Sequence, residues 1–131
     1  MSNNDNEKKY LGIDWGEKRI GLSLADEETK LALPFKTVSS LTAVLQVIKE
    51  EKIDVIVLGR PQKMSGLAGD NNFWLNFFDN LKKNSSQPII LIDERLSSLA
   101  ADALPGLKKD KANRDEIAAA LILQAYLDSL K

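Results

Sequence analysis

Two residue types are missing from this chain altogether, and each absence narrows its chemistry. There is no cysteine among the 131 residues, which removes disulfides, thiolate nucleophiles, iron–sulfur clusters and cysteine zinc sites. There is no histidine either, so a Ser-His-Asp triad and most transition-metal sites are excluded. Proton and metal chemistry is left to Asp, Glu, Lys, Arg, Ser, Thr and Tyr, and oxygen ligands suit Mg²⁺ and Mn²⁺. Long hydrophobic runs are also lacking. No apolar stretch approaches the roughly 18–20 residues of a membrane span, and the polar start MSNNDNEKKY is not a secretory signal. A soluble, cytoplasmic protein without membrane partners is expected. An excess of one charge is missing too: 18 Lys+Arg against 19 Asp+Glu gives −1, so no global field draws the chain to nucleic acid.

What is present suits one domain. The chain is 44% hydrophobic, and a domain of this size buries about two thirds of its unfolded surface. Residues 1–8 read as a polar, disordered tail and 9–131 as a single domain. Tyr10–Ile13 reads as a strand turned by Asp14-Trp15-Gly16-Glu17. Ile20, Leu22 and Leu24 alternate with Arg19, Gly21 and Ser23, which predicts a half-buried strand. A third strand is expected around Ala32–Val38, with Pro34 marking an edge position or a bulge.

The period then changes. Leu41, Val44, Leu45 and Ile48 predict an amphipathic helix entered through Ser39-Ser40. IDVIVL, Ile53–Leu58, reads as a buried parallel strand, followed by a glycine-containing loop from Gly59 to Gly69. Phe73, Trp74, Phe77, Phe78 and Leu81 predict a second helix, and Pro88–Ile92 a strand ending at Asp93-Glu94. Leu96–Ala103 predicts a third helix, stopped by Pro105-Gly106. Arg114–Leu130 predicts a last helix, apolar on more than one side and so packed against the sheet. The order β-β-β-α-β-α-β-α-α gives an α/β fold: a mixed five-stranded sheet, with an antiparallel three-strand meander plus parallel strands, flanked by helices.

Four motifs carry the candidate chemistry. In GIDWGEKRIG, Gly12–Gly21, an aspartate closes a buried strand, where it is costly unless paired. Asp14 therefore either binds a ligand at the strand end or bonds turn amides. VLGRPQKMSGLAG, Val57–Gly69, opens a strand end into a loop in which Arg60 and Lys63 suit phosphate oxygens, although a solvated connection accounts for it as well. Neither a Walker A sequence nor the GxGxxG spacing is present. In IDERLSS, Ile92–Ser98, Asp93 and Glu94 point to opposite faces by strand alternation, so one faces the site and the other secures the turn. In NRDEIAAALILQAYLD, Asn113–Asp128, the Asn113/Glu116 spacing resembles a capping box and places Asp115 in the first helical turn. There an acid also offsets the helix dipole. Ala118–Ala120 would let that helix sit close to the sheet.

Taken together, Asp14, Glu94 and Asp115 form the acid set that two-metal phosphodiester hydrolysis requires, with the ions about 3.5–4 Å apart to activate water and stabilise the leaving oxygen. Cations cluster locally as well. Lys108, Lys109, Lys111 and Arg114 against Asp110 leave four positive charges facing one negative, net +3 over residues 108–114. The four arginines, Arg19, Arg60, Arg95 and Arg114, all fall within or beside these motifs.

From Tyr10 onward the four motifs, in order, resemble those of the YqgF (RuvX) family. The resemblance implies an RNase H-like fold similar to RuvC resolvases, with Asp14, Glu94 and Asp115 as catalytic and metal-holding acids for Mg²⁺ or Mn²⁺. It implies processing of the 5′ end of pre-16S ribosomal RNA, with the small ribosomal subunit as a possible partner. Arg60 and Gln62 depart from the family's pattern, standing where apolar residues are frequent, and Ser65 stands where Asp or Asn is usual. Expected nucleic-acid contacts are Lys18, Arg19, Arg60, Lys63, Arg95, Lys108, Lys109, Lys111 and Arg114.

Three alternatives use the same residues differently. A Holliday junction resolvase would act on branched DNA and needs two active sites, whereas the sequence shows no dimerisation element and fits a monomer or weak homodimer. An actin-like nucleotide-binding module needs two such domains. A non-catalytic nucleic-acid-binding module would be expected to lack one of the acids. Trp15 reads either as a base-stacking platform or as packing.

Overall fold

The computed structural model describes residues 7–61, 70–93 and 114–130. Among the described residues five strands and three helices follow one another: β1 (Lys9–Trp15), β2 (Ile20–Asp26), β3 (Leu33–Val38), α1 (Leu41–Glu50), β4 (Val55–Arg60), α2 (Asp70–Asn84), β5 (Ile89–Asp93) and α3 (Arg114–Ser129). The strands form one sheet in the order β3-β2-β1-β4-β5. β1 to β3 make the antiparallel meander, and β1, β4 and β5 run parallel. β3 is an edge strand, and its register with β2 shifts at Leu22/Ser23 beside Pro34. The expected edge position and the expected irregularity therefore occur together, because proline has no N–H to give to a continuous ladder. The helix expected over Leu96–Ala103 lies outside the described residues.

Alternation sorts the side chains onto two faces. Leu11 and Ile13 of β1, Ile20 and Leu22 of β2, and Ile56 and Leu58 of β4 pack with Val44, Trp74 and Leu81 of α1 and α2. On the other face Tyr10, Ala25, Val55 and Val57 pack with Ile122, Leu123 and Leu127 of α3. α1 starts at the N-cap Ser40, whose hydroxyl accepts from the Ala43 N–H at 3.2 Å, as the serine pair predicts.

Three expectations are corrected. The strand placed at Ile53–Leu58 runs from Val55 to Arg60. Ile53 instead closes α1, its N–H donating to the Ile48 carbonyl at 3.0 Å, and Lys52 before it takes a φ of 56°. β2 is not half-buried, because Gly21 and Ser23 are covered as fully as Ile20 and Leu22. Arg19, which the alternation included, lies outside the strand. Lys8, assigned to the tail, is tied to the β2–β3 connection: its carbonyl accepts from Glu27 N–H at 2.9 Å.

Small residues explain the double burial of β2. A β-carbon on Gly12 would stand 2.7 Å from the Ala119 carbonyl oxygen and 2.8 Å from Leu123 Cβ. Ser23 is fully buried, and its hydroxyl donates to that same Ala119 carbonyl at 2.8 Å. Ala119 and Ala120 are buried in turn. The alanine run does bring α3 down onto the strands.

Candidate nuclease site

The C-terminal ends of the parallel strands β1, β4 and β5 lie at one end of the sheet, where β2 begins and α3 starts. Asp14 stands opposite Gly21 in the β1–β2 register, and Gly21 stands opposite Thr37 in the β2–β3 register. Directly opposed residues in an antiparallel pair have Cα atoms about 4.5–5.5 Å apart. Asp14, sharing parity with Tyr10 and Gly12, falls on the α3 face. The first turn of α3 is seated on the same row: a β-carbon on Gly21 would collide with the Asp115 carbonyl oxygen. Gly21 thus has Asp14 beside it in the sheet and Asp115 above it. Two of the three expected acids, 101 residues apart in sequence (115 minus 14), meet at one glycine.

Side chains fix this first turn from both sides. Arg19 Nε lies 3.0 Å from Asp115 Oδ2, with the arginine side chain 69% exposed and the aspartate 27%. Across the row, Thr37 Oγ1 donates to Glu116 Oε2 at 3.1 Å. Glu116 therefore ties α3 to the edge strand; Asn113, its expected capping-box partner, lies outside the described residues. Sequence reasoning missed Thr37 and Ser23. Parity in LPFKTV sets Thr37 with Leu33 and Phe35, and only the register shift beside Pro34 brings it opposite Gly21. The sequence therefore carried no signal for Thr37, whereas Ser23 was visible as a polar residue within the β2 pattern.

The remaining expected site residues are distributed as follows. Lys18 is exposed in the turn before β2, and Arg114 is exposed at the start of α3. Arg60 is exposed at the end of β4. It shares parity with Ile56 and Leu58, so it lies at the same end of the sheet as Asp14 but on the α1/α2 face. Asp93, its register partner, follows Ile89 and Leu91 on that same face, away from Asp14. Of the pair Asp93 and Glu94, then, Asp93 does not face the row holding Asp14. Glu94, Lys63, Arg95, Lys108, Lys109 and Lys111 lie outside the described residues. Among the described residues no three carboxylates come together as a metal-binding group, as expected when one of the three acids is not among them.

Aromatic packing secures this end of the sheet. Trp15 packs against the α1/α2 core with its ring 6.1 Å from that of Phe77, which answers the alternative of a base-stacking platform in favour of packing. Trp74 is buried and its indole N–H donates to the Gly59 carbonyl at 3.1 Å, one residue before Arg60. No described helix is long and apolar enough to cross a membrane.

Comparison with known proteins follows the same lines. The Thermus thermophilus RuvC structure in complex with a Holliday junction superposes with a TM-score of 0.66, at 15% identity, covering 95% of this chain and 97% of that one. The fowlpox virus resolvase bound to Holliday junction DNA gives 0.56 at 16% identity, covering 93% and 98%. These likenesses establish a RuvC-like, RNase H-type fold. In sequence, the proteins named "Putative pre-16S rRNA nuclease" of Rickettsia africae and Rickettsia typhi are 35% and 36% identical, each over 92% of this chain and 86% and 85% of their own lengths. The RuvX family model, described as a Holliday junction resolvase, matches residues 8–129, and with that match the chain belongs to the RuvX family.

Proposed function

We propose that this chain is a cytoplasmic, metal-dependent nuclease that hydrolyses phosphodiester bonds in the 5′ region of precursor 16S ribosomal RNA. Asp14, Glu94 and Asp115 are its catalytic acids. The observation that carries the reading is the seating of Asp115 and Asp14 around Gly21, in a family whose relatives at 35% identity bear the pre-16S rRNA nuclease name. The donor set fits Mg²⁺ or Mn²⁺: it consists of carboxylate oxygens, with no histidine or cysteine in the chain to favour softer ions. When bound, such ions activate water and stabilise charge on the departing oxygen.

The chain's own residues supply position. Gly21 admits the α3 backbone to the sheet, so that the carboxylates of Asp14 and Asp115 serve one centre. Thr37 and Glu116 hold the helix against rotation. Lys18, Arg19, Arg114 and the basic stretch Lys108, Lys109 and Lys111, with Lys63 and Arg95, bind the phosphate backbone. Arg60, on the other face, serves a strand of nucleic acid that wraps round the sheet end.

The test is Mg²⁺- or Mn²⁺-dependent cleavage of a labelled ribosomal leader RNA, with Asp14→Asn as control and a four-way DNA junction alongside. RNA cut by the wild type and spared by Asp14→Asn is the expected result. Asp14→Asn cutting at the full rate would overturn the assignment. The second reading, junction resolution, is favoured by the RuvC complex that this fold matches. It requires two sites acting together, so a cut junction with intact RNA and a dimer by light scattering would move the assignment there.

A further inference from the structure

We infer that Arg19 is a positioning residue that holds the Asp115 carboxylate in the metal-free protein, releases it when cations enter, and then takes a phosphate of the nucleic acid. This rests on the nuclease reading above and assigns Arg19 two successive partners. The contact is direct, Arg19 Nε to Asp115 Oδ2 at 3.0 Å. An oxygen that ligates a divalent cation approaches it to about 2.0–2.6 Å. At that distance a charge of two outcompetes a guanidinium at 3.0 Å for the same oxygen. The freed guanidinium is repelled by the ion that displaced it.

Nothing in the backbone needs to move for the exchange. The first turn of α3 stays seated by Gly21 and by the Thr37–Glu116 hydrogen bond. Arg19 belongs to the turn between β1 and β2, outside either strand, with its side chain 69% exposed. An ion pair this open costs little to break. A guanidinium this exposed is also the group best shaped to grip a phosphate through two N–H donors. Until then the pair keeps the Asp115 carboxylate, 27% exposed, beside a cation.

The exchange makes Arg19 a competitor of the metal and a helper of the substrate, so its removal has effects of opposite sign. Mn²⁺ binding to the full chain without nucleic acid, measured by calorimetry, is expected to tighten about three- to tenfold in Arg19→Gln. Arg19→Lys, which keeps the charge, should stay within about twofold of wild type. At saturating Mn²⁺, Arg19→Gln should raise the KM for RNA about fivefold with kcat little changed, as loss of one charged phosphate contact does.

Unchanged or weaker Mn²⁺ binding in Arg19→Gln overturns the inference, since a residue that only braces the fold or only touches substrate gives that result. Asp14→Asn separates this from failure of the underlying reading. If wild type loses Mn²⁺ binding on Asp14→Asn while Arg19→Gln matches wild type, the exchange alone is wrong. If wild type binds Mn²⁺ no better than Asp14→Asn, the nuclease centre and the exchange fall together.

Discussion

On one face of the sheet Leu11, Ile13, Leu22, Ile56 and Leu58 meet α1 and α2 side chain to side chain, with Trp74 and Leu81 filling the layer between. On the other, Gly12, Gly21 and Ser23 leave so little above the strands that the backbone of α3 comes down onto them. The first face is held by volume and the second by proximity. Volume tolerates small readjustments, because apolar side chains repack. Proximity of backbone to backbone does not, and that rigidity fixes Asp14 and Asp115, from distant segments, about one glycine, as the proposed nuclease centre would require.

The contrast can be broken most severely on the apolar side. Leu81 of α2 is fully buried against the sheet, and Leu81→Ala should cost about 2–5 kcal/mol of stability by denaturant unfolding. Cleavage per folded molecule should be retained; a matching loss of kcat would mean that the two faces are not independent. Gly21→Ala comes next. Its methyl must displace the Asp115 carbonyl, so stability should fall by about 1–3 kcal/mol. Cleavage should fall much further, about a hundredfold, because displacements near 1 Å at a reacting centre cost that much. Full activity in a folded Gly21→Ala would show that α3 need not touch the strand.

Ser23→Ala sharpens the same face more gently. It removes one buried donor from a helix carbonyl, and about 1 kcal/mol of stability should go with it. The smallest effect lies off both faces, at the β2–β3 turn. Asp26 accepts from the Thr29 backbone N–H at 2.9 Å and from its hydroxyl at 3.1 Å, and the backbone bond holds its carboxyl below the ordinary 3.8. A lowered folded-state value stabilises above the unfolded one and is lost as pH falls through the folded one. The slight stability advantage of wild type over Asp26→Ala should therefore be constant above about pH 5 and shrink below 3.8. An advantage that grows on acidification would contradict this assignment.

Much of this arrangement is legible in the sequence. The apolar start of β1, the Ile20, Leu22 and Leu24 series of β2, the unbroken apolar runs of β4 and β5, and Pro34 in a third strand give the sheet and its edge, although the half-burial read for β2 does not hold. The alanines of DEIAAALILQAYLD announce a helix pressed close, and the four motifs in order mark the family. What escaped depends on pairs rather than on single segments. Ile53 looks like the first residue of a strand because nothing local says that its N–H completes the turn after α1. Ser23 looks exposed because its cover, Ala119, is 96 residues away. The face taken by Arg60 follows from parity with Ile56 and Leu58, legible in IDVIVLGR only once the inward residues of the run are known. The partner of Arg19 could not be read at all, since a motif shows which charges exist and not which of them touch.

The hydrogen bond from Trp74 to Gly59 has a practical consequence. The chain holds two tryptophans: Trp15 directly follows Asp14, and Trp74 donates to the strand carbonyl just ahead of Arg60. Both indoles therefore flank the end of the sheet that carries Asp14 and Arg60, one half-covered and one sealed. Intrinsic emission consequently reports on this end of the molecule rather than on the whole. The sealed indole of Trp74 and the half-covered one of Trp15 sit in different surroundings, so loosening of this sheet end should appear as a red shift of the buried Trp74 emission without any label.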